Sequence, residues 1–130
     1  MTMVDTSTWI EFLRATGSTS HRTLAARIRD DAPLHTTDVV VMEVLAGGRD
    51  DVHTRRLRRL LAICTFVPTS GLDDFESAAE LYRRCRRAGE TPRALNDCLV
   101  AAVAIRADLA VLHADRDFDA IARHSSLRLG

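Results

Sequence analysis

Short apolar runs alternate with amphipathic stretches along the whole chain, and that alternation limits the fold more than any other feature of the sequence. Met3-Val4, Leu34 to Thr36, Cys64 to Val67 and Ala110 to Leu112 read as strands, with a last short strand near Leu127 to Leu129. Between them, apolar residues recur at helical spacing. Trp9, Ile10 and Leu13 mark a helix capped by Thr6 or Ser7 and ending near Arg14, and Leu24, Ala25 and Ile28 mark a second from His21 to Asp30. A third begins at Asp38 as cap and stops at Gly47-Gly48, a fourth covers about Val52 to Ala62, and a fifth runs from Leu72 to Ala88 with Gly89 after it. Pro92 restarts a helix from about Arg93 to Arg106, apolar at Leu95, Leu99, Ala102, Val103 and Ile105, and Phe118 to Ala122 is a short last helix. Strands and helices in this order imply an α/β fold, a three-layer α/β/α arrangement around a parallel sheet of four to five strands.

A chain of 130 residues supports one core, so a single domain spanning 1–130 is expected. No apolar run approaches the roughly 18 residues of a membrane span, and Met1 to Asp5 lacks the basic and apolar regions of a signal peptide, so no membrane role and a cytoplasmic location are expected. Cys64, Cys85 and Cys98 are three, without CxxC spacing, and read as reduced thiols rather than a disulfide frame or zinc site. Formal charge is zero, yet all 18 basic residues are arginine, and several cluster in Arg55, Arg56, Arg58 and Arg59 and in Arg83, Arg84, Arg86, Arg87 and Arg93. Missing lysine removes enzyme classes that require one.

The candidate chemistry lies in carboxylates. Asp5 and Asp115 each follow an apolar strand, which puts them at the strand ends where open α/β sheets place ligand sites, and Glu43 and Asp97 fall early in helices that begin on the same side. Asp97 is embedded in Leu95-Asn96-Asp97-Cys98-Leu99-Val100-Ala101-Ala102, among residues that face a core. Carboxylates brought within a few ångströms raise one another's pKa unless a hard, oxygen-seeking cation neutralises them. Mg²⁺, with Mn²⁺ as substitute, fits that description. The five histidines are isolated in sequence and suggest no zinc site.

Val4-Asp5-Thr6-Ser7, Glu43-Val44-Leu45-Ala46-Gly47, Asn96-Asp97-Cys98-Leu99-Val100-Ala101-Ala102 and Asp115-Arg116-Asp117-Phe118 occur in that order over nearly the whole chain. The set resembles PIN-domain ribonucleases, specifically VapC toxins of toxin–antitoxin pairs. By that resemblance Asp5, Glu43, Asp97 and Asp115 match the acidic quartet that binds the metal. Asp117 matches a fifth acid of some members, with helix capping before Phe118 as its plainer reading. Thr6 matches a hydroxyl beside the site, and capping is equally open for it. The implied activity is hydrolysis of phosphodiesters in structured RNA, transfer RNA foremost, which would inhibit translation and growth. The implied partners are a VapB-like antitoxin, whose tail covers the acidic site, and a second copy of the chain.

Arg83, Arg84, Arg86, Arg87 and Arg93 are candidate phosphate contacts, against the plainer reading of a solvated helix end. Trp9, Phe12 and Leu13 are read as core, with a groove for the antitoxin as the alternative. Haloacid-dehalogenase phosphatases also place an aspartate after the first strand, but they need a second acid where Ser7 stands, and a lysine. No GxxxxGK or GxGxxG loop is present. A non-catalytic RNA-binding or scaffold module is the remaining alternative, and the intact quartet argues against it.

Overall fold

Strand β1 (Thr2–Val4) is flanked on both sides by parallel partners, which explains why Met3 and Val4 have no solvent exposure. The computed structural model describes all residues from Met1 to Gly130. After β1 come α1 (Thr6–Leu13), α2 (Thr19–Arg29), β2 (Leu34–Thr36), α3 (Asp38–Ala46), α4 (Asp51–Leu61) and β3 (Thr65–Phe66). The second half consists of α5 (Gly71–Arg87), α6 (Leu95–Arg106), β4 (Ala110–Leu112) and α7 (Arg116–Arg123). Strand order is β3-β2-β1-β4, all parallel, with Met3 opposite His35 on one side and Val111 on the other. The sheet has four strands. The expected fifth, near Leu127 to Leu129, is reduced to a single bridge between Leu129 and Val111.

The strand order reverses at β1. From β1 the chain steps outward to β2 and β3, then returns to lay β4 on the opposite side of β1. Right-handed crossovers then put the helices of the first half on one face and α5 and α6 on the other, which makes three layers. Helix contacts agree: α1 packs on α2 and α3, α3 on α4, and α5, α6 and α7 on one another, while the two groups meet where α3 touches α6. A reversal of this kind leaves a crevice at the carboxyl ends of the two strands that flank it. Asp5 directly follows one of those strands and the segment from His113 to Asp115 follows the other.

Helix α6 is buried continuously from Asp97 to Ala104, so it acts as a core element and not as an amphipathic cover. Its first residue is Leu95, two residues later than expected, and Leu95 itself is exposed. The extended Ala94 before it, and not a helical Arg93, starts the turn. Gly89, at φ +77°, closes α5 through Glu90 N–H donating to Cys85 O at 2.9 Å. That stop turns the chain toward Pro92 and α6.

Helix caps differ from expectation in an informative way. Asp5, not Thr6 or Ser7, is the N-cap of α1. Thr37 precedes α3, and the Asp38 carboxylate instead accepts from the Thr69 hydroxyl at 3.0 Å, tying α3 to the segment after β3. Of the residues expected in the core, Trp9 is buried and Phe12 packs against the core, but Leu13 is 45% exposed, as is its neighbour on that face, Ile10, at 39%. The three cysteines are free, and burial pushes the Cys64 thiol up to about 11 and the Cys98 thiol up to about 12. Neither is a nucleophile at neutral pH. No helix is long and apolar enough to cross a membrane.

Candidate active site

Asp97, Asp115 and Asp117 each bring one carboxylate oxygen to within 4.8 Å of the others. Asp97 arrives from the first turn of buried α6, Asp115 is the N-cap of α7, and Asp117 lies in the first turn of α7. The Asp115 Oδ1 accepts the Asp117 N–H at 2.9 Å, which is ordinary capping geometry. Asp117 has a different occupation. Its Oδ2 accepts the N–H of Arg93 at 2.8 Å and of Ala94 at 3.2 Å, the amides immediately before α6. The carboxylate of one helix thereby fixes the start of the helix that carries Asp97.

Asp5 is 3% exposed and sits one layer away, after β1. Its Oδ2 accepts from the Ser7 N–H at 2.9 Å and the Ser7 Oγ–H at 2.6 Å. Ser7 Oγ in turn accepts the Ala114 N–H at 2.9 Å, so one hydroxyl joins Asp5 to the segment that delivers Asp115. Ser7 is a site residue that the sequence marks only as a helix cap; its signal is a hydroxyl two positions after a strand-end acid. Glu43 stands at the other edge, where the Thr6 Oγ–H donates to its Oε1 at 2.8 Å. Glu43 is close enough to Asp5 to raise its pKa, as Asp5 is to Asp97, but neither belongs to the tight triad.

Electrostatics divide the acids. Burial, aided by a hydrogen bond with Asp117 and the charges of Asp5, Asp115 and Asp117, lifts the Asp97 carboxyl to about 8. Burial, with Glu43 assisting, also raises Asp5, and the Ser7 hydrogen bonds oppose that rise. Burial alone would raise Asp117 as well, but its bond to Asp97, the Arg93 and Ala94 amides and the Arg93 guanidinium leave it below the usual carboxylate range. Burial and the neighbouring acids therefore favour the protonated form of Asp97.

Asp97 Oδ2 is buried and has no hydrogen-bond partner. An orphaned carboxylate oxygen beside two further carboxylates is unfavourable unless something electrophilic meets it. The donors are all carboxylate oxygens, with no histidine or cysteine among them, and this set fits a hard divalent cation.

Of the five expected arginines only Arg93 touches the acids, through Nη2 to Asp115 Oδ1 at 2.7 Å and Nε to Asp117 Oδ1 at 3.5 Å. Arg84 pairs with Glu80 on its own helix, Arg86 stands over the Tyr82 ring, and Arg83 and Arg87 are exposed. Beside Glu43 a groove of about 430 Å³ is lined by Thr6, Trp9, Ile10, Leu13, Arg49 and His53, among others. The two exposed apolar residues of α1 are walls of that groove.

A family model described as PIN domain matches residues 2–124. The VapC ribonuclease Mb1587 of Mycobacterium bovis is 40% identical over 129 residues, covering 98% of this chain and 96% of the relative, and ribonuclease VapC11 of Mycobacterium tuberculosis matches equally. Among solved structures, VapBC-1 from nontypeable Haemophilus influenzae shares the fold at TM-score 0.76 and 16% identity, covering 99% of this chain and 96% of that one. VapBC2 from Rickettsia felis, bound to a DNA fragment from its promoter, does so at 0.75 and 16%, with the same coverage. A matched model over nearly the whole length, relatives at 40% identity and a common fold place the chain in the PIN-domain family, on its VapC branch.

Proposed function

We propose that the chain, as one domain over 1–130, is a Mg²⁺-dependent endoribonuclease and the toxin of a toxin–antitoxin pair. The observation that carries this reading is the triad of Asp97, Asp115 and Asp117, with a buried, unpartnered oxygen on Asp97, in a chain 40% identical to VapC ribonucleases. Asp97, Asp115 and Asp117 would hold the cation, with Asp5 completing the negative field from β1. Bound there, Mg²⁺ or Mn²⁺ supplies Lewis acidity toward phosphoryl oxygens.

The residues themselves do the rest. Asp5, held by two bonds from Ser7, is oriented toward the site and cannot swing out. Glu43, held by the Thr6 hydroxyl at the site's edge, would accept the proton of an attacking water. Arg93 can present its guanidinium to a non-bridging phosphate oxygen, and Arg83, Arg84, Arg86 and Arg87 would add sequence-independent attraction along the backbone. Hydrolysis breaks one P–O bond, and water supplies the oxygen that joins phosphorus and the proton that caps the leaving oxygen.

The partner reading rests on the same groove. Exposed Ile10 and Leu13 beside Arg49 and Glu43 fit an extended segment with an apolar anchor, and we take a VapB-like antitoxin tail as its occupant, within an assembly of paired toxins. Structured RNA, with transfer RNA foremost, is the proposed target, and translation and growth would stop when it is cut.

Sequencing RNA 5′ ends after pulsed expression of the wild-type and Asp97→Asn chains tests activity and target together. New ends confined to wild type and concentrated in transfer RNA are expected. Identical end profiles for both proteins would refute the nuclease reading, and ends concentrated in another RNA would refute the target.

A further inference from the structure

The acidic triad carries its own cation. Arg93 Nη2 lies 2.7 Å from Asp115 Oδ1, and Nε lies 3.5 Å from Asp117 Oδ1, so one guanidinium spans two of the three acids that would hold a metal ion. We propose that Arg93 is an internal counter-ion that competes with the divalent cation for Asp115 and Asp117, and is displaced by it toward the substrate phosphate. This inference rests on the metal-dependent nuclease reading above.

Three features of the geometry support it. First, the guanidinium and the backbone of Arg93 have separate partners. The Arg93 and Ala94 amides hold Asp117 through Oδ2, while the side chain meets Oδ1, so the side chain can leave without releasing that clamp. Second, Asp115 Oδ1 is doubly used, accepting both the Asp117 N–H at 2.9 Å and Arg93 Nη2. A cation drawing on that oxygen meets a competing positive charge already bound to it. Third, the Arg93 side chain is 59% exposed whereas that of Asp117 is 5% exposed. Displacement moves a solvated group and opens no cavity, so its cost is that of a pair exposed on the Arg93 side only.

Displacement leaves the guanidinium tethered beside Ala94, the residue that begins α6, within one side-chain length of the acids. A dianionic pair of carboxylates and a phosphate are both bidentate targets for guanidinium. The same side chain therefore neutralises the acids before the metal arrives and can meet the phosphate after it.

The test is calorimetric titration of Mn²⁺ into the chelator-stripped wild-type, Arg93→Gln and Arg93→Lys proteins, followed by steady-state cleavage of one RNA substrate at saturating Mn²⁺. Removing this half-exposed pair predicts roughly three- to five-fold tighter Mn²⁺ binding by Arg93→Gln, with Arg93→Lys between it and wild type. The KM of Arg93→Gln should rise several-fold at saturating metal, with kcat nearly unchanged. Equal or weaker Mn²⁺ binding by Arg93→Gln, with a native circular dichroism spectrum and a binding wild type, overturns the competition and leaves the nuclease reading intact. Unchanged KM overturns the phosphate role. Absence of Mn²⁺ binding in all three proteins overturns the metal-dependent reading itself, whereas binding by Arg93→Gln alone supports the competition in its strongest form.

Discussion

Asp117 Oδ2 accepts the Ala94 N–H at 3.2 Å across 23 residues of sequence, so an acid of α7 caps the approach to α6. The start of the buried helix that carries Asp97 is held by a member of the candidate site. Asp117→Ala leaves the Arg93 and Ala94 amides without their acceptor, and about 1–3 kcal/mol of stability should be lost in urea unfolding. Asp117→Asn keeps an acceptor oxygen and should lose less than half as much. Equal losses would show that the amides are satisfied by something else.

Under the proposed function, Asp97 would set a trade between stability and metal binding. Its carboxyl stays protonated in the folded chain up to about pH 8, while the unfolded chain releases that proton near the ordinary carboxylate value. The folded state thus binds more protons between those values, and its stability contribution falls as pH rises through that window. In chelator, Asp97→Asn should therefore gain stability relative to wild type steadily from about pH 5 to pH 8, followed by thermal melting. Cation binding must expel the same proton, so wild-type affinity for Mn²⁺ should rise over the same interval. A difference between the two proteins that does not change with pH would contradict the assignment.

Ser7 bridges Asp5 and the Ala114 amide, and nothing else in the structure joins those two segments through a side chain. Ser7→Ala should fold, yet lose about 10- to 100-fold in metal affinity or cleavage rate, because it releases both Asp5 beside the cation and the segment that delivers the ligand Asp115. Wild-type values for both would demote Ser7 to a capping neighbour.

Away from the site, Arg106 reaches Asp74 with Nε at 3.0 Å and Nη2 at 3.0 Å, and also donates to Pro68 O at 2.8 Å. The Asp74 side chain is 3% exposed. Burial alone would raise the Asp74 carboxyl, but the Arg106 bonds and the Ser70 N–H hold it below the ordinary range. Arg106→Ala strands that acid, at a cost of about 2 kcal/mol, less than for a fully buried pair because Arg106 is partly exposed. A depressed carboxylate contributes stability above its unfolded pKa and loses it as pH falls. The gap between wild type and Arg106→Ala should thus be widest at neutral pH and narrow as pH falls, first as the stranded Asp74 of the variant takes up its proton, with cleavage per folded molecule unchanged. A gap that widens in acid would reverse the sign of the account.

Strand and helix positions were legible because period and punctuation agreed. Gly89 and Gly47-Gly48 ended the helices expected of them, and β1 and β4 are centred on the apolar pairs Met3-Val4 and Val111-Leu112. Two kinds of detail were not legible. Ile10 and Leu13 continue the apolar spacing of Trp9, and spacing alone does not distinguish a wall of an open groove from a core face. Asp115 and Asp117 are adjacent in sequence pattern, but their different duties depend on where Arg93 and Ala94 arrive, 22 to 24 residues away. The acids themselves stood out because strand ends and a core-like surrounding are unusual places for charge. The arginines did not sort in the same way, since an exposed helix end and a phosphate contact have the same composition.

The central claim is that these acids hold a divalent ion that the RNA chemistry requires. Its most direct test is cleavage of a defined structured RNA by the purified chain, with Mg²⁺ added back after chelation, for wild type and for Asp5→Asn and Asp97→Asn. Cleavage by wild type that appears with Mg²⁺, is lost in chelator and falls at least about 100-fold in both variants is the predicted result. Undiminished cleavage in chelator, or by either folded variant, would contradict it.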